Sequence, residues 1–168
     1  MASKKILMVL PPLDFDGAAY QVIRRALESR GHTVAVTSIA EGGVTASDGV
    51  SAPVSVRLRD VKTWDYDAFI FIGGEGARVY YDDEQVRKLA KDVKYKAVGA
   101  TGSAVAILAL AEVLNGKKAT GPHELAPLLT RNGATFTNQL LQVDDKIVTL
   151  QDAVGAEQFA NAIAKAVE

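Results

Sequence analysis

Three short apolar runs constrain this chain most. They are "KILMVL" (Lys5–Leu10), "YDAFIFIGG" (Tyr66–Gly74) and "KAVGA" at 96–100. Each is too short for a buried helix and ends at proline, glycine or a turn. Continuous apolarity over four to six residues is what a strand buried on both faces requires. Between the runs lie helical patterns. "DFDGAAYQVIRRALESRG" spaces Tyr20, Ile23, Ala26 and Leu27 along one face and closes at Gly31. "DDEQVRKLAKDV" offers Asp82 or Asp83 as N-cap and Val86, Leu89, Ala90 and Val93 as the buried stripe. "SAVAILALAEVL" is apolar nearly all round and is expected at the centre of the fold or at a subunit contact.

The remaining segments fit the same alternation. "HTVAVTS" reads as the second strand. The Gly- and Ser-rich stretch after it suggests a small antiparallel excursion turning at Gly42-Gly43 and Asp48-Gly49. "KKATG" predicts a short strand, and "HELAPLLTRNG" a short helix distorted by Pro127. "QLLQVDDKIVTL" predicts a hairpin turning at Asp144-Asp145, and "GAEQFANAIAKAVE" a final helix. No repeat, low-complexity tract or linker interrupts residues 1–168, so one domain is expected. Strands alternating with helices give an α/β fold with a mainly parallel sheet covered on both faces. Such sheets bind ligands beyond the carboxyl ends of their strands. The stretches to inspect are therefore "PPLDFDGAA", "GGEGARVYY" and "GATGSA".

Composition narrows the chemistry. The chain has no cysteine, which excludes disulfides, thiolate metal sites and a thiol nucleophile. Its two histidines, His32 and His123, exclude a multi-histidine metal site. No metal and no cofactor are expected. A net charge of −1 gives no electrostatic case for nucleic acid or an anionic membrane. The first apolar run stops at Pro11-Pro12, unlike a signal peptide, and no run approaches the ~20 residues of a membrane span. A cytoplasmic protein is the expectation.

The order and spacing of "ILMVLPPLDFD", "RGHTVAV", "YDAFIFIGG", "YKAVGATGSAVAILALAEVLNGKKATG" and "DDKIVTLQDAVGAEQFANAIAKAV" resemble the PfpI/ThiJ superfamily. That superfamily includes the parkinsonism-associated deglycase, PfpI-type intracellular proteases and glyoxalase-like enzymes. The resemblance covers almost the whole chain. It implies a flavodoxin-like three-layer sandwich, like that of class I glutamine amidotransferases, and a homodimer or larger oligomer. It also implies a site. Anchored on "EVLNGKKATG", the family's nucleophilic cysteine falls on Gly102 and the histidine that follows it in some members on Ser103. A two-residue slip would use Ala100 and Thr101, and neither alignment supplies a thiol. The partner glutamate falls on Ala19. The family's "PGG" becomes Ile72-Gly73-Gly74, whose glycines could still present backbone amides to an oxyanion. The "SRGP" of the final hairpin becomes Leu150-Gln151-Asp152-Ala153, and a further family histidine falls on Pro122.

Thiol, carboxylate and imidazole are thus absent together, and the hairpin arginine with them, which goes beyond replacement of a nucleophile alone. A glycine at the apex also relieves the strain that an elbow imposes on a cysteine. The expectation is a non-catalytic member whose residual pocket is lined by Asp16, Ala19, Gly73, Gly74, Gly102 and Ser103. Glu75 and Thr101 stand beside it as further candidates for binding an anionic or carbonyl metabolite. Several residues carry two readings. Ser103 is a nucleophile or the N-cap of the helix after it. Thr101 is a nucleophile, an anion ligand, or a turn hydroxyl bonded to its own backbone. Asp14 and Asp16 are an acid/base pair or helix caps. "GGEGARVYY" with Arg78 grips phosphate or merely turns, and Tyr80 and Tyr81 form a pocket lid, a subunit contact or a stack on a ligand. The rival function is a hydrolase or glyoxalase-like activity built on Ser103 or Thr101.

Overall fold

In the computed structural model, which describes residues 2–168, all the predicted strands form. In chain order they are β1 (Lys5–Val9), β2 (Thr33–Ser38), β3 (Gly43–Thr45), β4 (Ser51–Pro53), β5 (Val56–Arg57), β6 (Ala68–Phe71) and β7 (Ala97–Thr101). They continue with β8 (Lys118–Ala119), β9 (Thr135–Phe136), β10 (Leu141–Asp144) and β11 (Ile147–Leu150). The helices are α1 (Gly17–Ser29), α2 (Glu84–Asp92), α3 (Val105–Leu110), α4 (Ala126–Arg131) and α5 (Ala156–Ala166).

The main sheet runs β10-β11-β7-β6-β1-β2-β5. Every pairing in it is parallel except β10 with β11. Strand direction and a side-chain period of two divide the core. Ile6, Met8 and Leu10 face one layer with Tyr20, Ile23 and Leu27 of α1 and Phe159 and Ile163 of α5. Leu7 and Val9 face the other, with Val86 and Leu89 of α2 and Ile107 and Leu108 of α3. The result is the three-layer α/β sandwich with a mainly parallel sheet. Gly99 of β7 lets α5 come close, because a Cβ there would stand 2.5 Å from the Phe159 ring.

Caps and turns sharpen several expectations. Asp83, not Asp82, caps α2 by accepting from the Val86 N–H. The excursion after β2 is the β3–β4 hairpin, with Gly49 at φ +90°. The last hairpin turns at Asp145-Lys146, one residue later than predicted, because Asp144 still pairs with Ile147 and Asp145 takes φ +56°. Pro127 does not distort its helix: α4 starts at Ala126, so the proline lies in the first turn, where no N–H is needed.

The apolar helix α3 is shorter than its pattern. After Leu110, the Val113 N–H reaches back to Leu108 O and the Glu112 N–H to Ala109 O. That is a Schellman closure, and it puts Glu112 at the left-handed position that glycine normally takes, with φ +65°. Tyr80 locks the far ends of β1 and β2. Its hydroxyl donates to Leu10 O and accepts from the Ile39 N–H, and it shares a 3.0 Å hydrogen bond with Ser38 Oγ. Tyr80 is therefore a core residue and not the lid or contact expected above. Burial pushes its phenol above the ordinary tyrosine value, against the pull of the Ser38 and Ile39 bonds.

Two predictions follow from these features. Glu112→Gly should stabilise the protein by up to about 1 kcal/mol, because the left-handed penalty exceeds the value of the exposed ion pair with Lys91. Thermal melts should show Tm rising by roughly 2–4 °C. The second concerns pH. A folded-state pKa raised above the unfolded one gives stability that is complete below pH ~10 and lost as pH rises further. Tyr80→Phe should therefore cost about 1–2 kcal/mol at pH 8. Denaturant midpoints measured from pH 8 to 11 should show the two proteins converging.

Candidate functional site

The sheet order reverses between β1 and β6, so the crevice beyond their carboxyl ends is the expected binding position. Three chain segments meet there: Pro11–Asp16 after β1, Ile72–Gly76 after β6, and Gly102–Ala104 after β7. Gly73 and Gly74 lie in the middle. The Asp16 N–H donates to Gly73 O at 2.8 Å, and the Gly76 N–H to Asp14 O at 3.3 Å. On the other side, the Gly73 N–H donates to Thr101 Oγ1 at 3.0 Å. The Gly74 N–H donates to Ser103 Oγ at 3.0 Å, and that hydroxyl donates to Gly74 O at 2.8 Å.

Glycine is needed in this segment because backbone approaches backbone. A Cβ on Gly76 would lie 1.7 Å from Leu13 O, and one on Gly74, at φ +123°, would lie 2.3 Å from Asp14 O. Gly73 would meet Thr101 O at 2.4 Å.

These bonds change the reading of the candidates. Ser103 is not the cap of the helix after it. The first turn of α3 has no side-chain cap, because the Ser103 hydroxyl is turned across to Gly74. Thr101 does not bond its own backbone either. It is buried at the end of β7 and accepts from the neighbouring strand end. Asp16 is the N-cap of α1, taking the Ala19 N–H at 3.1 Å, while Asp14 contributes backbone groups only. Ala19 is fully buried in the apolar layer under α1.

The elbow itself is intact. β7 runs through Thr101 into a tight turn, with Gly102 at φ +52°. A Cβ there would meet nothing within 4 Å, so the apex faces open space. Glu75 opens the turn after Gly74 with its side chain exposed, which works against an incoming anion. Tyr81, more than the sequence suggested, belongs to this site. Its hydroxyl donates to Ser103 O at 2.7 Å. Burial pushes its pKa up, with Glu124 and Glu75 adding to the effect and Arg78 opposing it. Nothing local in the sequence pairs Tyr81 with Ser103 or brings Glu124 beside them.

No base serves the hydroxyls. Among the described residues, the hydrogen bonds of Thr101 Oγ1 and Ser103 Oγ go to the Gly73 and Gly74 backbone alone. His32 lies by the start of β1, where Nδ1 accepts from the Lys4 N–H, and His123 packs its ring edge-on against Phe136. Five cavities among the described residues lie away from the elbow. One of about 160 Å³ is bounded by Ser38, Glu41, Arg57 and Arg59, and none of these five is lined by Asp16, Ala19, Gly73, Gly74, Gly102 or Ser103.

The hydroxyl bonds predict a stability cost. Thr101→Val leaves the buried Gly73 N–H without a partner and should destabilise by about 1–3 kcal/mol in urea unfolding. Ser103→Ala, at a half-buried position that water can reach, should cost less than Thr101→Val.

Known proteins agree with this architecture. The DJ-1/PfpI family model matches residues 4–166. The chain is 31% identical over its whole length to the uncharacterised protein MJ0967 of Methanocaldococcus jannaschii, covering 84% of that protein. It is 24% identical to the glutathione-independent glyoxalase DJR-1.2 of Caenorhabditis elegans, over 99% of this chain and 90% of that one. Among solved structures, a ThiJ/PfpI domain protein of Brachyspira murdochii superposes with a TM-score of 0.94 at 25% identity, covering 99% of this chain and 98% of that one. Drosophila melanogaster DJ-1beta superposes at 0.87 and 22% identity, covering 99% and 91%.

Proposed function

This chain belongs to the DJ-1/PfpI family, and we propose that it acts there without the family's cysteine chemistry, as a binding or regulatory protein. The observation that carries this reading is the pair of hydrogen bonds that the Gly73 and Gly74 amides donate to the hydroxyls of Thr101 and Ser103. Those amides are the donors an oxyanion would need, and each already has a partner. The apex residue Gly102 offers no nucleophile. The hydroxyls on either side of it have no base to activate them. An anion would have to displace two internal hydrogen bonds and approach the Glu75 carboxylate. The open space over Gly102, beside Tyr81, suits a small neutral or carbonyl-bearing metabolite better. The family resemblance adds a homodimer or larger oligomer to this reading, and the short first apolar run adds a cytoplasmic setting.

The nematode glyoxalase makes a 2-oxoaldehyde the sharpest challenge to it. Methylglyoxal incubated with the protein, without glutathione, should form lactate no faster than in buffer. Glycated substrates and peptides should likewise remain unchanged. Turnover that disappeared in Ser103→Ala would overturn the reading in favour of a serine-based enzyme.

A further inference from the structure

The opposite end of the sheet carries a feature unrelated to the elbow. The starts of β7 and β11 and the segment after α3 enclose a cavity of about 340 Å³. Lys94, Lys96, Lys117 and Lys146 line it, against only two carboxylates, Asp145 and Glu112. Glu112 is already engaged by Lys91 at 3.3 Å. Lys96 donates to Thr63 O at 3.1 Å and Tyr66 O at 2.8 Å, neutral partners that fix its position without cancelling its charge. Lys94 lies 5.2 Å over the exposed ring of Tyr95 at the rim. Among the described residues, none of the four lining lysines forms an ion pair.

A chain of net charge −1 has no compositional reason to gather uncompensated cations in one cavity. The four ammonium groups outnumber the two carboxylates beside them, and a multivalent anion would balance the excess. Ammonium groups grip a phosphate as point charges from several directions, without the planar fit of arginine. The volume lies within the range of small-ligand sites. We infer that this cavity binds a small molecule carrying a diphosphate, with Tyr95 available to stack on any ring attached to it. The inference is independent of the proposed function at the elbow.

The test is titration of the full chain with inorganic pyrophosphate and, separately, with ADP, followed by backbone-amide NMR at about 50 mM salt, where screening is modest. Saturable shifts confined to residues 94–96, 112–117 and 145–147 are expected. The double variant Lys117→Ala/Lys146→Ala should weaken binding roughly tenfold or more, since each charged hydrogen bond to phosphate is a strong one. Lys88→Ala, whose ammonium is paired with Asp92 on α2, should leave it unchanged. Tighter binding of ADP than of pyrophosphate, with the difference lost in Tyr95→Ala, would support the stacking role. Lack of saturation, shifts spread over lysines at large, shifts centred on 73–76 and 101–103, or unaltered affinity in the double variant would each overturn the inference.

Discussion

Two peptide N–H groups, those of Gly73 and Gly74, decide the character of the strand-end face. They leave β6 at the middle of the sheet, where backbone donors cannot go unpaired without cost. In an acyl-transfer site such donors wait for substrate. Here the hydroxyls of Thr101 and Ser103 take them, from the next strand over. The same peptides are held from the other side by the Asp16 N–H and by the Gly76 contact with Asp14. A segment bonded on both flanks is rigid, and its polar capacity is spent internally.

That arrangement depends on close packing as much as on hydrogen bonding. Gly74 and Gly76 bring the loop after β6 onto the carbonyls of Asp14 and Leu13. The loop after β1 is fixed in turn by the Asp16 cap and by Tyr80, whose hydroxyl gathers Leu10, Ser38 and Ile39. Charge is distributed along the sheet accordingly. The carboxyl end presents Asp14, Asp16 and Glu75 around the elbow, while the amino ends of β7 and β11 present lysines. At the second end four lysines face two carboxylates across one cavity.

Much of the fold was legible because its signals are local. Buried parallel strands announce themselves as runs such as "AFIF", which is buried at every position of β6. The stripe Val86, Leu89, Ala90 and Val93 is buried as its spacing required. Local signals mislead where a tertiary contact outcompetes a local preference. Ser103 has the sequence position of a cap, yet the Gly74 peptide offers it both a donor and an acceptor, and a cap site offers only a donor. Tyr80 and Tyr81 are adjacent and chemically identical, but the 3-10 turn from Glu75 to Tyr80 sends one into the core and the other to Ser103. Glu112 ends its helix where no glycine marks a stop.

The persistence of the elbow without a nucleophile has a topological explanation. A parallel strand at the centre of a sheet must leave it through a crossover and return its helix against the same face. The turn from β7 into α3 therefore reverses within a few residues, and Gly102 takes a left-handed φ in it. Gly102 meets that demand at the lowest conformational cost. A side chain at the apex would add strain that only catalysis or ligand binding could justify. The turn thus serves the sheet's connection without any chemistry at its apex. What distinguishes an active elbow is free amides, a nucleophile and a base around it. In this protein the amides are taken, the apex is bare, and the histidines lie elsewhere.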